Sequence, residues 1–288
     1  MDIQHFHEPV TGSLTYVVHD SNVGVVIDPI RDFEPATGAV NWHSAATVAE
    51  YIDKLGLSIA YVIDTHAHAD HLSGLPFFRQ RYGAQTVTSA AINDIQPLFA
   101  DPYDDDVTKS FGTFDVLIRG GDVLTAGSLC VEAIATPGHT TNHLCLKVAD
   151  ALFVGDTLCM PDCGTARCDS PGGSAAVMYD SVQQIYSYPD ETRLFVGHDY
   201  PPTGRTPRWE TSVAEQKKCN IHLCADTTAE EFIFLREAMD RQLDMPRLYW
   251  QALQVNVQAG ELPSPGPNGV VYLKVPLRNT HCQTQGAA

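Results

Sequence analysis

Cations are scarce in this 288-residue chain: 18 Lys and Arg stand against 35 Asp and Glu, a net charge of −17. Nucleic acid and anionic membrane surfaces both require a basic face, so neither is expected as a partner. Long apolar runs are missing too. The longest, such as Val23-Gly24-Val25-Val26-Ile27, have strand length and fall far short of the roughly 18–20 residues of a membrane span. Residues Met1 to Pro9 carry neither a basic stretch nor an apolar stretch behind it, which argues against a secretory signal. The eight cysteines, at 130, 145, 159, 163, 168, 219, 224 and 282, form no CxxC pair. Neither a disulfide scaffold nor a zinc ribbon is therefore indicated, and reduced thiols in a cytoplasmic location are the expectation.

What is present is an ordinary globular balance, 44% hydrophobic and 18% charged, long enough for one large or two small domains. Strands are predicted over 14–18, 23–27, 59–63 and 85–88, with helices over 45–55, 72–82 and 90–99 ahead of an acidic loop holding Asp104, Asp105 and Asp106. Further strands are predicted at 114–119, 128–135, 144–148, 151–154 and 193–196, with a helix over 173–186. Two strand-rich halves with helices between them suggest two sheets face to face and helices outside, although turn chemistry alone also allows a doubly wound sheet. After Pro207 the composition turns helical. Helices are predicted over 209–219, from the capping box Thr228-Ala229-Glu230-Glu231 to Leu243, and from Pro246 to Ala259, with a late strand at 270–275. The chain is thus divided into a main domain, 1–207, and a mostly helical extension, 208–288, that either hangs on it or covers it.

Chemistry concentrates in Asp64-Thr65-His66-Ala67-His68-Ala69-Asp70-His71, between a strand and a helix. His66 and His68, two apart on an extended segment, share one side, as two ligands of a metal must. Three more candidates follow strands with glycine directly before them: His139 in Thr136-Pro137-Gly138-His139, Asp156 in Val154-Gly155-Asp156, and His198 in Gly197-His198-Asp199-Tyr200. Glycine there permits close backbone approach.

In this order HxHxDH, GH, GD and GH resemble the metallo-β-lactamase fold superfamily, over roughly residues 10 to 200, with Ile27-Asp28-Pro29 similar to its early Asp motif. The resemblance implies an α/β (α+β) four-layer αβ/βα sandwich with metal between the sheet edges. Cys163-Gly164-Thr165-Ala166-Arg167-Cys168 with the run on to Gly173, Gly197 to Tyr200, and Asn220-Ile221-His222 resemble bacterial glutathione-dependent persulfide dioxygenases, also called sulfur dioxygenases. That likeness implies one Fe(II) per chain, held by His66, His139 and Asp156, and oxidation of glutathione persulfide by O2 to sulfite and glutathione. Two imidazoles and a carboxylate leave the open positions such chemistry needs. His68, Asp70, His71 and His198 then orient the ligands, or hold a second metal. All seven positions are filled, so a Zn2+ thioester hydrolase similar to glyoxalase II, with Asp70 as general base, stays open. A non-enzymatic metal binder on a dead scaffold would have lost a ligand, and none is lost.

Glutathione carries two carboxylates, which guanidinium groups grip best. Arg167 is the first candidate and Arg205 and Tyr200 the next; Lys217 and Lys218 read as a solvated helix face. Cys163 either contacts the persulfide or is an inert buried thiol. Cys168 is assigned no role, and His222 and the histidines at 5, 7, 19, 43, 143 and 281 are read as structural. The resemblance also brings a homodimer as an expected assembly.

Overall fold

β-branched runs and glycine-terminated amphipathic stretches alternate through the first half of the computed structural model, which describes residues 1–103 and 113–277. Strands β1 (Asp2–His7), β2 (Leu14–Asp20), β3 (Val23–Ile27), β4 (Ile30–Glu34) and β5 (Ala39–Asn41) precede helix α1 (His43–Leu55). Then come β6 (Ser58–Ile63), β7 (Leu72–Ser73), α2 (Leu75–Tyr82), β8 (Gln85–Ser89), α3 (Ile92–Tyr103) and β9 (Val116–Ile118). Gly56 and Gly83 end α1 and α2 as the sequence marks them. The second half holds β10 (Val123–Ala126), β11 (Leu129–Ala135), β12 (Leu144–Val148), β13 (Ala151–Gly155), α4 (Ala175–Tyr186), β14 (Arg193–Val196) and β15 (Glu210–Ser212). Helices α5 (Val213–Cys219), α6 (Ala229–Asp240) and α7 (Tyr249–Asn256) complete it.

One six-stranded sheet runs β1-β2-β3-β6-β8-β9 and a second runs β10-β11-β12-β13-β14-β15, with a small sheet β5-β4-β7 beside them. The faces of the two large sheets share one core. Tyr16 of the first sheet packs edge-on against Phe153 and Phe195 of the second, with ring centroids 5.1 and 5.6 Å away. Its hydroxyl donates to the Val196 carbonyl at 2.6 Å, so the polar end of this buried ring is satisfied. Outside the first sheet, Val48, Ile52, Leu75 and Phe78 of α1 and α2 cover Val17, Val26 and Val62. Met178 and Val182 of α4 and Phe232 of α6 belong to the core of the second. The result is the four-layer αβ/βα sandwich expected. Because β3, β6, β8 and β9 are parallel, as are β13 and β14, several strands end at one edge, and the loops that leave there meet.

Local differences have local causes. Leu72 and Ser73 are not helical: they pair with β4, and α2 starts behind them with Pro76 in its first turn. The helix read from Trp209 begins only at Val213. Residues 210–212 instead form β15 and extend the second sheet, anchored by Arg193 to Glu210 at 2.6 Å, and the Ser212 hydroxyl then caps α5. The capping box at Thr228 forms as read, yet α6 stops at Asp240 and α7 is regular only over 249–256. No strand forms at 270–275; the Lys274 amide finds the Gln254 side chain rather than a sheet edge. The sequence reading missed β1, β4, β5 and β10. The acidic loop at 104–106, His281 and Cys282 lie outside the described residues.

Phe153 is fully buried between the sheets. Phe153→Ala is expected to lower unfolding stability by about 3–5 kcal/mol, and Thr228→Ala, which removes a cap, by about 1 kcal/mol. Chemical denaturation measures both; equal losses at the two positions would contradict a core shared by the two sheets.

Candidate metal centre

The loop after β6 is tied down before its imidazoles are considered. The Asp64 amide donates to the Val87 carbonyl, and the Thr65 carbonyl accepts from the Leu144 amide of the second sheet, at 3.0 and 2.9 Å. Asp28, in a left-handed conformation at φ 49°, accepts from the Thr65 amide at 2.7 Å and the Thr65 hydroxyl at 2.9 Å. With its proton committed to Asp28, the Thr65 hydroxyl accepts from His66 Nδ1 at 3.0 Å. That fixes the tautomer and leaves the lone pair on His66 Nε2. His139 is set the same way: Nδ1 donates to the Arg167 carbonyl at 2.7 Å, freeing Nε2.

Both free nitrogens face one carboxylate oxygen. Asp156 Oδ2 lies 3.7 Å from His66 Nε2 and 3.6 Å from His139 Nε2. The other oxygen, Oδ1, accepts from His198 Nδ1 at 2.6 Å. Glycine on either side allows this placement. A Cβ on Gly155, whose φ is +47°, would stand 2.6 Å from His143 Nε2, and one on Gly197 would stand 2.8 Å from Asp156 Oδ1.

The remaining motif residues are engaged with one another. His198 Nε2 contacts Asp70 Oδ2 at 2.8 Å, and His71 Nδ1 contacts the same oxygen at 3.0 Å. Burial disfavours a charged His198, but the carboxylates of Asp156 and Asp70 on its two nitrogens hold its pKa well above the ordinary value. His198 in turn depresses the pKa of both carboxylates against the pull of burial. His68 Nε2 points at Asp28 at 3.0 Å, and that carboxylate outweighs burial to raise its pKa to about 9. Tyr200 stacks on His198, centroids 5.7 Å apart, and stays half exposed. Cys163 is half-buried; a hydrogen bond from Cys159 lowers its pKa.

Arg167 and Arg205 already hold partners. Arg167 makes a two-pronged contact with Asp169, both bonds at 2.6 Å, and also donates to the Asp244 carbonyl. Arg205 does the same with Asp199 and Asp162, and Lys217 reaches Asp190. A ligand carboxylate at either arginine would have to displace an aspartate.

Several positioning residues carry no sequence motif. Ser13 bonds Asp70 and His198 at 3.0 and 2.9 Å. His143 accepts the Asp156 amide on Nε2 at 3.0 Å, with Nδ1 beside Thr136 and Thr157. Asn256 of α7 donates to the carbonyls of both His68 and His71, each at 2.8 Å. The loop from Thr157 to Gly173 is held by Gln216 to the Cys159 carbonyl, by His222 accepting the Thr165 amide, and by Arg236 and Asp240 to the Thr165 carbonyl and Cys168 amide. His143 and His222 were read as structural; their neighbours in sequence gave no sign of these partners.

A family model of the metallo-beta-lactamase superfamily matches residues 9–198. The chain belongs to that superfamily. Within it, a beta-lactamase hydrolase-like protein of Agrobacterium fabrum is 45% identical over 278 residues, covering 96% of this chain. The chain spans 64% of the length of that relative. A glyoxylase B2 of Dictyostelium discoideum is 36% identical over 94% of both chains. Among solved structures, ETHE1 from Myxococcus xanthus superposes with a TM-score of 0.74 at 28% identity, over 91% of this chain and all of that one. Among the described residues no helix is long and apolar enough to cross a membrane.

The residues present fit a metal. His66 Nε2 is buried with no hydrogen-bond partner, a costly arrangement unless a cation occupies the space before it. Three ligand atoms of His66, His139 and Asp156 lie within 4.8 Å of one another, and those of His68, Asp70 and His71 form a second such group.

His143 gives this centre a pH dependence of its own. Burial, aided by His139, pushes its pKa to about 3. In the unfolded chain the same imidazole binds a proton near 6.5. Between those values the unfolded state holds more protons, so stability is lost as pH falls from about 6.5 toward 3, by at most about 1.4 kcal/mol per unit from this group. Denaturation of metal-free protein at pH 7 and pH 5 measures the slope, and His143→Asn is expected to flatten it. An unchanged slope would mean that His143 titrates normally in the fold.

Proposed function

We propose that the chain is a mononuclear non-haem Fe(II) persulfide dioxygenase that converts glutathione persulfide, O2 and water to glutathione and sulfite. The observation that carries this reading is the convergence of two imidazole nitrogens on one carboxylate oxygen. Only His66 and His139 offer free Nε2 lone pairs toward Asp156 Oδ2. His198 has both nitrogens on carboxylates, and His68 turns to Asp28. Two imidazoles and one carboxylate make the donor set of non-haem iron oxygenases, with positions left open.

Bound there, Fe(II) would supply a site where an anionic sulfur and O2 meet. The chain's own residues do the rest. Asp156 keeps Oδ2 toward the metal because His198 holds Oδ1 and His143 holds its amide. Asp70, partly exposed, and His71, linked through Ser13 to His198, form a network that can store a proton near the centre. Tyr200 and Cys163 lie on the neighbouring loops, where they can touch the sulfur end of a substrate. In the overall reaction the S–S bond breaks and four electrons pass from the terminal sulfur to O2. Sulfite takes two oxygens from O2 and one from water, glutathione keeps its thiol, and two protons are released.

A second reading, a zinc thioester hydrolase acting on acyl-glutathione, is favoured by the second ligand group of His68, Asp70 and His71 and by the hydrolase-like name of the Agrobacterium relative. Metal analysis and an oxygen electrode separate the two. Protein from iron-replete cells is expected to hold about one iron per chain and to take up O2 with glutathione persulfide, and His139→Ala should abolish the uptake. Two zinc ions per chain with thioester hydrolysis and no uptake would overturn the dioxygenase.

A further inference from the structure

Nearly every arginine near the centre is committed to an acid: Arg167 to Asp169, Arg205 to Asp199 and Asp162, Arg208 to Glu215, Arg236 to Asp240. Two are not, and they share one cavity. Between β4 and the approach to α7 lies an open pocket of about 150 Å³ whose wall includes Arg31, Arg247 and His71. Arg31 lies over the Trp42 ring at 4.3 Å, and its Nε is buried with no hydrogen-bond partner. Glu261 acts on it electrostatically without an ion-pair contact among the described residues. Arg247 is exposed and makes no ion pair among the described residues. His71 ties the pocket to the centre through Asp70 and His198, and its own Nε2 is buried without a partner.

The same wall carries three acids: Glu8, Asp32 and Glu34. Each is steadied by local donors: Glu8 by the amides of Val10 and Thr11, Asp32 by Ser44, Glu34 by the Ala36 amide. Those bonds hold them in place, so the wall carries acidic and basic side chains together. A simple dianion would meet these carboxylates at close range, whereas a group bearing a carboxylate and an ammonium side by side suits both sets. The volume lies below the roughly 300 Å³ where pockets for drug-sized ligands begin, so one amino-acid head group fits and a whole tripeptide does not.

We propose that this pocket binds the zwitterionic α-amino-acid end of the substrate thiol, carboxylate on Arg31 and Arg247 and ammonium on the acidic wall. In glutathione that end is the γ-glutamyl head. The inference rests on the proposed function for the identity of the thiol, but its test does not. Equilibrium titration of glutathione into the purified chain reads the pocket directly, and oxygen uptake with glutathione persulfide reads the reaction. Arg247→Gln, on the surface, and Arg31→Lys, which keeps the charge over Trp42 but loses the planar fork, are each expected to weaken glutathione binding about tenfold, as loss of a charged hydrogen bond implies. KM should rise by a similar factor with kcat within about twofold. N-acetylglutathione, which lacks the ammonium, should bind the parent chain correspondingly less well. Unchanged glutathione affinity in both variants would overturn the pocket. Arginine-dependent binding in a chain that takes up no oxygen would retain the pocket and overturn only the dioxygenase.

Discussion

The position of one carboxylate governs the centre. Asp156 follows β13 on a glycine whose backbone no other residue would adopt without striking His143. Its amide is held by His143, and one oxygen is held by His198, itself clamped from the far side by Asp70 and Ser13. A carboxylate with one oxygen pinned can turn the other in a single direction, and that direction faces His66 and His139. Charge reinforces geometry here, since a doubly carboxylate-bound imidazolium keeps both aspartates ionised despite burial. On the proposed mononuclear reading, the residues that would otherwise compete for a metal help to aim His66, His139 and Asp156.

Loops this deeply buried need partners for their backbone, because an unpaired buried amide or carbonyl costs as much as a lost hydrogen bond. The sandwich alone does not supply them. Asn256 caps the His68 and His71 carbonyls, while Gln216, His222 and the buried pair Arg236–Asp240 serve the loop that carries Arg167, whose carbonyl orients His139. All of these lie beyond residue 207, and β15, at 210–212, is hydrogen-bonded into the second sheet. The segment after 207 therefore takes part in the centre's geometry at two removes from the proposed metal ligands, and its removal would leave both loops with buried polar groups unpaired.

The layered fold and the clustering of the candidate metal residues were legible in the sequence because both rest on local signals: β-branched runs, glycine stops, the capping box at Thr228, and imidazoles packed into six positions. Other features depend on contacts between distant residues. Strand β15 contains only three residues and exists because β14 offers it an edge, so composition favoured the helix beginning next to it. Ser13, His143 and Asn256 are ordinary residues whose partners lie 58, 13 and 188 positions away. Arg167 and Arg205 stood out by nearness to the motifs, but spacing along the chain does not reveal that an aspartate already faces each guanidinium.

That last point resolves a tension set by composition. A chain of net charge −17 ought to repel an anionic thiol. In physiological salt, however, exposed charges are screened over about 8 Å, so the sum over the molecule says little about any one cavity. What counts is which cations lack an acid of their own. Most arginines here are neutralised within the fold, and each such pair stiffens a loop without attracting a ligand. Among the described residues, Arg31 and Arg247 line one cavity with no ion-pair partner, beside a wall of fixed carboxylates that discourages a bare anion. A cavity built this way selects for a head group carrying both charges, and it is the carboxylates of its own wall, Glu8, Asp32 and Glu34, that discriminate against simple anions of similar size.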